Sequence, residues 1–471
     1  MRENDLLLCI DQGGQSSRAL VFEQSGRLLA EGRASIETHR MPPDRVEHDA
    51  DALVESVRHS IRDALTDLGD RPVIAAAMAT QRSSIVCWDR SDGRALSPVI
   101  SWQDTRAAGL LGPLKPFRED IHERTGLVLS AHYGASKLRW CLDELPEVRS
   151  ACREGRLVFG PLASFITYRL CAERPLLADP ANASRTLLWN IQTGDWDSFL
   201  TEQFDIPTDC LPRCVPNTYG FGHIHIGSRA VPLSVVTGDQ PAALFAFGAP
   251  RRSRAYINAG TGAFVQRLTT REQAPDKLLR SVVWDDGETR VGVVEGTVNG
   301  AAGALELVAS QLGVDAKTEL NEGVVESIPL FINTVSGLGS PFWLEGIPPR
   351  FVGDGTAREK LTAVVESAVF LLKINIDAID GVLDPATDIV LTGGLASLDL
   401  LGSRLADLTG RSVQRAEVRE ATATGLAWLL AGRPKKWPYQ IEGSCFEPRE
   451  DAELQQRYSE FRKTIASLAS M

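Results

Sequence analysis

One short pattern occurs twice in this chain, near its beginning and again past its middle. The first copy is IDQG at 10–13 and the second is INAG at 257–260. In both copies an apolar strand ends in a polar residue, a glycine and small residues follow, and a second apolar strand begins. An internal repeat on this scale is typical of two related domains. Because 471 residues are also too many for one ordinary core, we predict domains at 1–246 and 247–471.

The remaining sequence alternates between strand and helix patterns, which predicts an α/β fold. Apolar residues spaced like Leu53, Val57 and Ile61 lie on one face of a helix, whereas short β-branched runs bounded by glycine read as strands. The predicted strands or strand–turn units are 6–10, 19–22, 28–36, 73–78, 254–268 and 389–397, and the pattern at 235–248 predicts a strand, a glycine turn and a helix. The predicted helices are 51–68, 302–312, 357–380 and 452–468. Arg433–Pro438 is predicted to be a linker to the last helix.

Charge and composition exclude several classes of partner. The formal net charge of −11 disfavours unspecific binding to nucleic acid or to an anionic membrane. No apolar run approaches the roughly 18 residues that a membrane-spanning helix needs. The first residues do not have the pattern of a secretory signal, and the eight cysteines are scattered. We therefore expect a cytoplasmic protein with neither a nucleic acid nor a membrane as its partner.

Three glycine turns follow predicted strands: Gly13-Gly14, Gly260-Thr261-Gly262 and Gly393-Gly394. A single turn of this kind is more often a structural hairpin than a binding site, and none has the spacing of a Walker A loop or a dinucleotide fingerprint. Three of them, two in repeated units, favour a different interpretation. Exposed backbone N–H groups in glycine turns form anion sites. Two such hairpins that face each other across a cleft would clasp a triphosphate.

Two aspartates are candidates for the chemistry of such a cleft. Asp11 ends a buried strand, where a carboxylate is suited to a magnesium ion on the phosphates. Asp239 lies in TGDQPAAL (237–244), and phosphoryl transfer to an alcohol needs a base near the attacking hydroxyl. The alternative for Asp239 is structural, as the N-cap of a helix that starts near Pro241.

Many segments together resemble one family, and they occur in the order found in that family. They are DQGGQSSRA (11–19), RVEHDAD (45–51), TQRSSIVCWD (80–89), ISWQDTRAA (100–108), YGASKLRW (133–140), DPANASRTLLWNIQTGDWD (179–197), TGDQPAALFAFG (237–248), INAGTGAF (257–264), SGLGSPFW (336–343), TGGLAS (392–397) and EVREATATGLAWLLAG (417–432). The chain resembles the FGGY family of carbohydrate kinases along nearly its whole length. Within that family it is most similar to the glycerol kinases.

The resemblance implies a fold, a reaction and a set of site residues. The family has two actin-like ATPase (ribonuclease H-like) α/β domains around a central cleft, and it phosphorylates a sugar or polyol with ATP and Mg²⁺. By position, Asp239 matches the general base and Asp11 the magnesium-side carboxylate. The matching substrate positions are Arg82, Ser83, Trp102, His132, Asp239, Gln240 and Phe264. The matching ATP positions are Gly13, Gly14, Gln15, Ser16, Arg18, Gly260, Thr261, Gly262, Ala302, Gly303, Gly393 and Gly394.

The chain departs from the glycerol kinase pattern at several of these positions. It has Gly14-Gln15 in place of Thr-Thr, and Ser83 in place of a glutamate. The tyrosine of the substrate pocket aligns with His132, although a shift of one residue would bring in Tyr133. Because a carboxylate that accepts hydrogen bonds from a three-carbon polyol is missing at Ser83, we predict that glycerol is not the best substrate.

Further departures lie on the nucleotide side. Thr392 replaces the aspartate that precedes the double glycine, and Leu398 replaces an asparagine on the adenosine side. The adenine-side glycine aligns with either Ala302 or Gly303, and the sequence does not choose between them.

Four functions remain open at this point. The leading one is an ATP-dependent kinase for a small polyol or ketose, and a true glycerol kinase or a ketopentose kinase is the alternative within that class. A paralogue that binds sugar or nucleotide without turnover would fit the changed hairpin residues, but it would not need both Asp11 and Asp239. An actin-like or chaperone-like ATPase shares the fold, yet it does not account for the segments around Arg82 and Trp102. The predicted partner is a small polyol or sugar, and a homodimer stays open.

Overall fold

The structure is a computed structural model. It describes residues 5–66, 68–69, 71–227, 229–270, 275–321, 325, 327–417 and 420–469. The motif at 417–432 is therefore described except for residues 418 and 419, and the prediction about the first residues of the chain lies outside the described residues for 1–4. None of the described helices is long and apolar enough to cross a membrane.

The strands follow the alternation of short apolar runs and turns in the sequence. They are β1 Leu6–Gln12, β2 Ser16–Glu23, β3 Leu28–Ser35, β4 His39–Met41, β5 Arg45–His48, β6 Val73–Thr80, β7 Ile85–Asp89, β8 Val99–Ile100, β9 Leu157–Pro161, β10 Leu177–Ala178, β11 Trp189–Asn190, β12 Asp195–Trp196, β13 Arg213–Cys214, β14 His223–Ile226, β15 Arg229–Gly238, β16 Arg254–Ala259, β17 Ala263–Thr269, β18 Leu279–Asp285, β19 Arg290–Val298, β20 Leu330–Ile332, β21 Arg350–Val352, β22 Asp388–Thr392, β23 Val413–Arg415 and β24 Cys445–Phe446.

The helices include the four for which the sequence predicts bounds, with ends within a few residues, and a short one within 235–248. They are α1 Ala50–Leu65, α2 Arg118–Thr125, α3 Gly134–Glu144, α4 Pro146–Arg153, α5 Leu162–Leu170, α6 Pro180–Ala183, α7 Ser198–Gln203, α8 Asp239–Ala243, α9 Ala302–Leu312, α10 Ala316–Asn321, α11 Ala357–Asp380, α12 Asp399–Thr409, α13 Ala421–Leu430 and α14 Ala452–Ala469, with 3₁₀ turns at Ala108–Phe117, Thr208–Cys210 and Gly394–Ser397. Local signals fix several starts. Asp49 caps α1, and Thr356 with Glu359 forms a capping box on α11.

Two larger sheets have the same local plan, which confirms the repeat seen in the sequence. The first has the strand order β14-β15-β6-β1-β2-β3, and the second has the order β18-β19-β17-β16-β22-β23-β24. In the first, β1 and β2 form an antiparallel hairpin and β1 runs parallel to β6. In the second, β16 and β17 form the hairpin and β16 runs parallel to β22. The predicted α/β fold with two related units is therefore correct.

A smaller sheet lies beside the first one and supports the segments that follow β6 and β8. Its strand order is β4-β5-β8-β7-β9. Helix α3 packs on β7, and its buried Leu138 and Cys141 share an apolar core with Ile85 and Phe159. This core holds the start of α3 close to the ends of β6 and β8.

Helices from opposite ends of the chain cover the two faces of the first sheet. Alternate residues of a strand point to opposite faces. Leu6 and Leu8 of β1 pack in a cluster with α1, whereas Leu7 and Cys9 pack in a cluster with α13. Gly425 of α13 lies so close to the backbone of α8 that a side chain there would meet the carbonyl oxygen of Ala242. The chain thus returns to its first sheet after β23 and adds β24, the last strand of the second sheet, afterwards.

The predicted linker at 433–438 is not a free connection. Trp437 is buried, and its indole Nε1 donates to the carbonyl oxygen of Ala246 at 3.0 Å. Arg433 donates its backbone N–H to Trp428 and pairs with Asp286 at 3.0 Å. The segment connects α13 with the last strand and helix, as a linker would, but Trp437 packs it against the first unit, which its proline and lysine content did not indicate.

Candidate active site

The ends of three neighbouring parallel strands bring the predicted catalytic residues together. In the register of the first sheet, Gln12 of β1 lies beside Thr80 of β6, and Thr80 lies beside Gly238 of β15. Asp11 and Asp239 therefore lie at the same edge, one on each side of β6. In open α/β sheets, ligands bind outside the carboxyl ends of the strands.

Asp239 is the first residue of helix α8, directly after β15. Helix α8 is preceded by Gly238 as its N-cap, and the carboxylate of Asp239 accepts the adjacent N–H of Gln240 at 2.8 Å. The carboxylate therefore does not cap a helix that starts near Pro241, as the structural alternative required. Burial raises the pKa of Asp239, while the Arg82 guanidinium and the backbone N–H groups partly oppose that rise.

Arg82 lies across the end of β15, next to this carboxylate. Its Nη2 donates to Oε1 of Gln240. Gly238 leaves room for Arg82, because a side chain at that position would overlap the stem of the arginine. Burial lowers the pKa of Arg82 to about 10, and the neighbouring Arg185 guanidinium adds to that effect. Arg82, Asp239 and Gln240 thus form one polar cluster.

Ser83 has a backbone conformation that non-glycine residues rarely adopt. Its φ angle is 63°, and the residue is buried. The next residue, Ser84, accepts the backbone N–H of Trp102 at 3.0 Å with its hydroxyl. This contact ties the segment after β6 to the segment after β8. Strained backbone that persists in a folded protein is commonly found at functional sites.

His132 and Tyr133, the two alternatives for the tyrosine of the pocket, lie in different surroundings. His132 is exposed, and its Nδ1 lies 3.1 Å from the carbonyl oxygen of Trp102. Tyr133 is buried, with the Arg185 guanidinium 5.2 Å from its ring centre. The charges of Arg185, Glu295 and Arg82 all act on the pKa of Tyr133, which burial raises. Trp102 itself is 42% exposed at the rim of the cleft.

Arg185, Glu295 and Gln266 extend this cluster into the second sheet, and the sequence did not indicate their role. Arg185 donates from Nη1 to Ser281 Oγ at 2.9 Å and lies 3.5 Å from Glu295 Oε1. Gln266 donates to the other oxygen of Glu295 at 2.7 Å. Phe264 is on the same face of β17 as Gln266, because the two residues are two positions apart. Arg185 lies in the segment 179–197, one of those that resemble the family, but only the fold shows its partners.

One guanidinium nitrogen in this cluster is buried without a partner. The Nε of Arg185 makes no hydrogen bond to any described residue. Buried polar atoms are nearly always hydrogen-bonded, so an unpaired donor beside Arg82 and Asp239 indicates a place for a ligand oxygen.

The first hairpin places the predicted phosphate residues close to Asp11. The N–H of Gly13 donates to the carbonyl oxygen of Ser16 at 3.0 Å, which closes the turn. Gln15 is exposed at its tip, and the carbonyl oxygen of Gly14 accepts the hydroxyl of Thr38 at 3.2 Å. The turn is therefore anchored on one side, with its tip open.

Arg18 connects this hairpin to the start of α13. It pairs with Asp11 at 2.6 Å through Nη2 and with Glu420 at 2.5 Å through Nη1. Burial raises the pKa of Asp11 to about 7, and the Arg18 guanidinium opposes the rise. The nearby carboxylates of Asp239 and Glu420 add to the rise. A cation at Asp11 would relieve this excess of negative charge.

The second hairpin meets the start of α9. The N–H of Gly260 donates to Gly262 at 2.8 Å, and the turn carbonyls accept the N–H groups of Ala302 and Gly303 at 3.0 Å each. Thr261 provides the carbonyl for Gly303. Both candidates for the adenine-side position therefore lie against the predicted phosphate turn, and the geometry does not separate them.

The double-glycine turn follows β22 and lies next to the second hairpin. Gly393 has a φ of 96°, and a side chain there would overlap the backbone of Ala259. Gly394, by contrast, has open space where a side chain would stand. Thr392 donates its hydroxyl to the carbonyl oxygen of Ile257 at 3.1 Å, so it serves the strand pairing.

The glycines of the three turns divide into two groups. Gly262 and Gly393 are required by the fold itself, because backbone atoms occupy the place of a side chain. At Gly13, Gly14, Gly260 and Gly394, no protein atom lies closer than ordinary contact distance and φ is not positive. The fold does not explain these four glycines, whereas an anion that approaches the turns closely at these positions would.

Replacement of Gly13 by valine should therefore weaken nucleotide binding without unfolding the protein. The valine would stand where the phosphate approaches, and the loss of hydrogen bonds to a charged group should lower the affinity for ATP by roughly ten- to a hundredfold. Calorimetry with ATP and Mg²⁺, together with thermal melting, measures both effects. Gly112→Val is the matched control, at another open glycine away from the three turns. Equal affinities for the two variants would contradict this role of Gly13.

Two protein-family models match successive parts of the chain. The model of the N-terminal domain of the FGGY family of carbohydrate kinases matches residues 6–246, and the model of its C-terminal domain matches residues 255–432. The chain belongs to the FGGY family of carbohydrate kinases. It is therefore an ATP-dependent phosphotransferase with an alcohol group of a sugar or polyol as acceptor.

Similar proteins within the family include several glycerol kinases. The glycerol kinase of Ralstonia nicotianae is 32% identical over 447 residues, which are 90% of this chain and 89% of that protein. The glycerol kinase of Dechloromonas aromatica is 33% identical, over 94% of this chain and 91% of that protein.

Solved structures support the fold of this FGGY kinase. The glycerol kinase of Plasmodium falciparum, solved with ADP, superposes with a TM-score of 0.87 at 21% identity over 98% of both chains. The xylulose kinase of Rhodospirillum rubrum gives a TM-score of 0.86 at 17% identity, over 98% of this chain and 99% of that one. These likenesses confirm the predicted two-unit fold.

Proposed function

We propose that Asp239 is the general base of this kinase, that Asp11 faces the magnesium ion, and that the acceptor is a polyol or ketose larger than glycerol. The observation that carries the proposal is a pair of carboxylates at one sheet edge: partly buried Asp239 beside Arg82 and Gln240, and buried Asp11 beside the first glycine hairpin.

The position of Asp239 suits a base. A hydroxyl that attacks the γ-phosphorus must lose its proton, and a carboxylate within hydrogen-bond reach accepts it. Burial raises the pKa of Asp239 above that of an ordinary aspartate. The raised pKa makes the carboxylate a stronger proton acceptor, while Arg82 and Gln240 hold the acceptor hydroxyls in place.

The nucleotide side is formed by the two hairpins. In the turns at 13–15 and 260–262, the N–H groups of Gly13 and Gly260 close the turns, and the N–H groups that follow them would face the phosphates. The double-glycine turn with Ala302 or Gly303 bounds the adenosine side. Open space at Gly13, Gly260 and Gly394 supports this assignment. Arg18 contributes positive charge close to the first hairpin, and its buried Nε has no partner among the described residues.

The donor set fits magnesium held jointly with phosphate. Among the residues that the structure describes, no cluster of three or more acidic, histidine or cysteine side chains is arranged to hold a metal by itself. Mg²⁺ is typically bound by one or two carboxylates together with substrate phosphates and water. Asp11 is a single buried carboxylate of that kind, and the ion would supply charge neutralisation of the phosphates.

Glycerol is the second candidate acceptor, and two observations favour it. Relatives with 32–33% identity are glycerol kinases. In addition, buried Tyr133 lies within the cluster of Arg82 and Arg185, where its hydroxyl would stand in for the tyrosine missing at position 132. Ser83 and exposed His132 favour the larger acceptor, because both changes leave space and fewer partners for a three-carbon chain.

The order of kcat/KM values should decide between these acceptors. We expect ribitol, erythritol, ribulose or xylulose to exceed glycerol, because a hydrogen bond to a charged group, worth roughly 1.5–3 kcal/mol, is missing at Ser83. That loss corresponds to about ten- to a hundredfold for glycerol. Steady-state rates of ADP release measure the series. A Ser83→Glu variant should gain activity with glycerol, and Ser83→Ala should not. If glycerol leads the series tenfold or more in the parent, it is the acceptor.

Two α/β domains divided near residue 246 are the proposed organisation. The family models, which match 6–246 and 255–432, support this division. The packing of α13 on the first sheet adds a second crossing between the units. Limited proteolysis should therefore cut first in the exposed stretch around Arg251–Ser253 rather than in the buried segment around Trp437.

A further inference from the structure

A lysine is completely buried beside the substrate side of the cleft. Lys137 lies in the first turn of α3 and has no exposed surface. Its Nζ donates to the carbonyl oxygen of Ser101 at 2.7 Å, of His132 at 2.8 Å and of Ser83 at 3.4 Å. No carboxylate pairs with it among the described residues.

The three acceptors belong to three separate segments, and each segment carries predicted substrate residues. The carbonyl of Ser83 follows Arg82, that of Ser101 precedes Trp102, and that of His132 precedes Tyr133. Two further contacts, both described above, join these segments at Trp102: its N–H to the Ser84 hydroxyl and its carbonyl to the His132 ring. The ammonium of Lys137 is the group common to all three segments.

Stability alone does not account for a charge at this place. Transfer of an ammonium into the interior without a paired carboxylate is costly. The N-terminal turn of a helix is also the unfavourable end for a positive charge. An apolar side chain of similar length would fill the same space without that penalty. The advantage of lysine must therefore lie in what its three N–H groups hold.

We propose that Lys137 is a positioning residue that fixes Arg82, Trp102 and Tyr133 in one arrangement for the acceptor substrate. The inference rests on the proposed function in that the acceptor is taken to bind among these residues. An ammonium has three N–H donors for the three carbonyls, whereas a neutral amine has two donors and a lone pair. The neutral form would turn that lone pair towards a carbonyl oxygen and release one of the segments.

The surroundings of Lys137 make this arrangement sensitive to pH. Burial lowers the pKa of Lys137 to about 7; the Asp104 carboxylate opposes this and the Arg106 guanidinium adds to it. The ring of His132 is the third titratable group that faces it. Because the pKa in the folded state is below that of a free lysine, deprotonation as the pH rises favours the folded state. The KM for the acceptor should rise over the same range, so stability and acceptor binding should move in opposite directions.

The test compares Lys137→Met with Lys115→Met, the same substitution at an exposed lysine. In Lys137→Met the kcat/KM for the acceptor should fall at least about tenfold, because small misplacement of binding groups has effects of this size or more. The KM for ATP and the melting temperature should change little, and the rise of the acceptor KM between pH 6 and 8.5 should disappear. Lys115→Met should behave like the parent. Parallel changes in both KM values, or an unchanged acceptor KM, would overturn the proposal.

Hydrogen exchange provides a readout that does not depend on turnover. The amides of 82–84, 101–103 and 131–133 should exchange faster in Lys137→Met than in the parent. Elsewhere the ratio of the two exchange rates should remain near one. Unchanged exchange in these segments would overturn the role of Lys137. A parent that phosphorylates none of the acceptors would instead overturn the proposed function, and the exchange ratios would still decide whether Lys137 holds the three segments.

Discussion

Replacement of Asp239 by asparagine should lower kcat by roughly 10²–10⁴-fold, the usual contribution of general acid–base catalysis. The amide has nearly the same shape and keeps the contact with the N–H of Gln240. It does not accept the proton of the attacking hydroxyl. We therefore expect the affinity for ATP, measured by calorimetry, to stay within a few-fold of the parent. Because burial raises the pKa of Asp239, the parent should lose kcat on acidification at a higher pH than an ordinary aspartate would give.

Asp179→Asn is the matched control for that substitution. Asp179 is a fully buried aspartate whose pKa is likewise raised by burial, to about 6, but it holds the start of α6 through Asn182 and contacts Asn217. Its replacement should lower the melting temperature and leave kcat near that of the parent. A kcat for Asp239→Asn within a few-fold of the parent would remove Asp239 from the mechanism.

Replacement of Asp11 by asparagine should abolish most of the magnesium-dependent turnover while the protein stays folded. A metal ion supplies several kcal/mol of charge stabilisation in phosphoryl transfer, which corresponds to about a hundredfold or more in rate. Burial favours an uncharged group at this position, since the pKa of Asp11 is raised to about 7. Initial rates over a range of Mg²⁺ concentrations, with melting curves at the same pH, measure the two properties.

Glu420→Gln separates the metal role of Asp11 from its ion pair. Both carboxylates pair with Arg18, at 2.6 and 2.5 Å, but Glu420 belongs to the start of α13. If Asp11 acts on magnesium, the Glu420 variant should keep the Mg²⁺ dependence of the parent. Equal losses in the two variants would show that Asp11 acts only by holding Arg18.

The hairpins and the four helices with predicted bounds could be predicted from the sequence, because the patterns that specify them lie within each segment. A turn of glycines between two apolar runs specifies its own geometry, as at Gly13 and Gly260. The capping box of Thr356 and Glu359 marks the start of α11 in the sequence. The repeat of hairpin and parallel strand followed from the same local pattern occurring twice.

The cluster around Arg82 could be predicted only in part from the sequence, because its members come from distant parts of the chain. Arg185 and Glu295 meet through packing between the two units, and no spacing in the sequence encodes that contact. The sequence also does not indicate the full burial of Lys137, since a lysine in a helix is normally exposed. The choice between His132 and Tyr133 needed the start of α3, which determines which side chain turns inward.

The return of α13 to the first sheet has a consequence for how the protein is made. Synthesis starts at the N-terminus, so the strands of this sheet emerge long before residues 421–430. Until then, the face of β1 that carries Leu7 and Cys9 lacks α13, the helix that packs on it. Uncovered apolar surface of this kind promotes aggregation. A chain that ended before α13 would contain every strand of its first sheet, but one face of that sheet would lack its helix. The folding of the N-terminal sheet therefore depends on residues 421–430, which are encoded near the end of the gene.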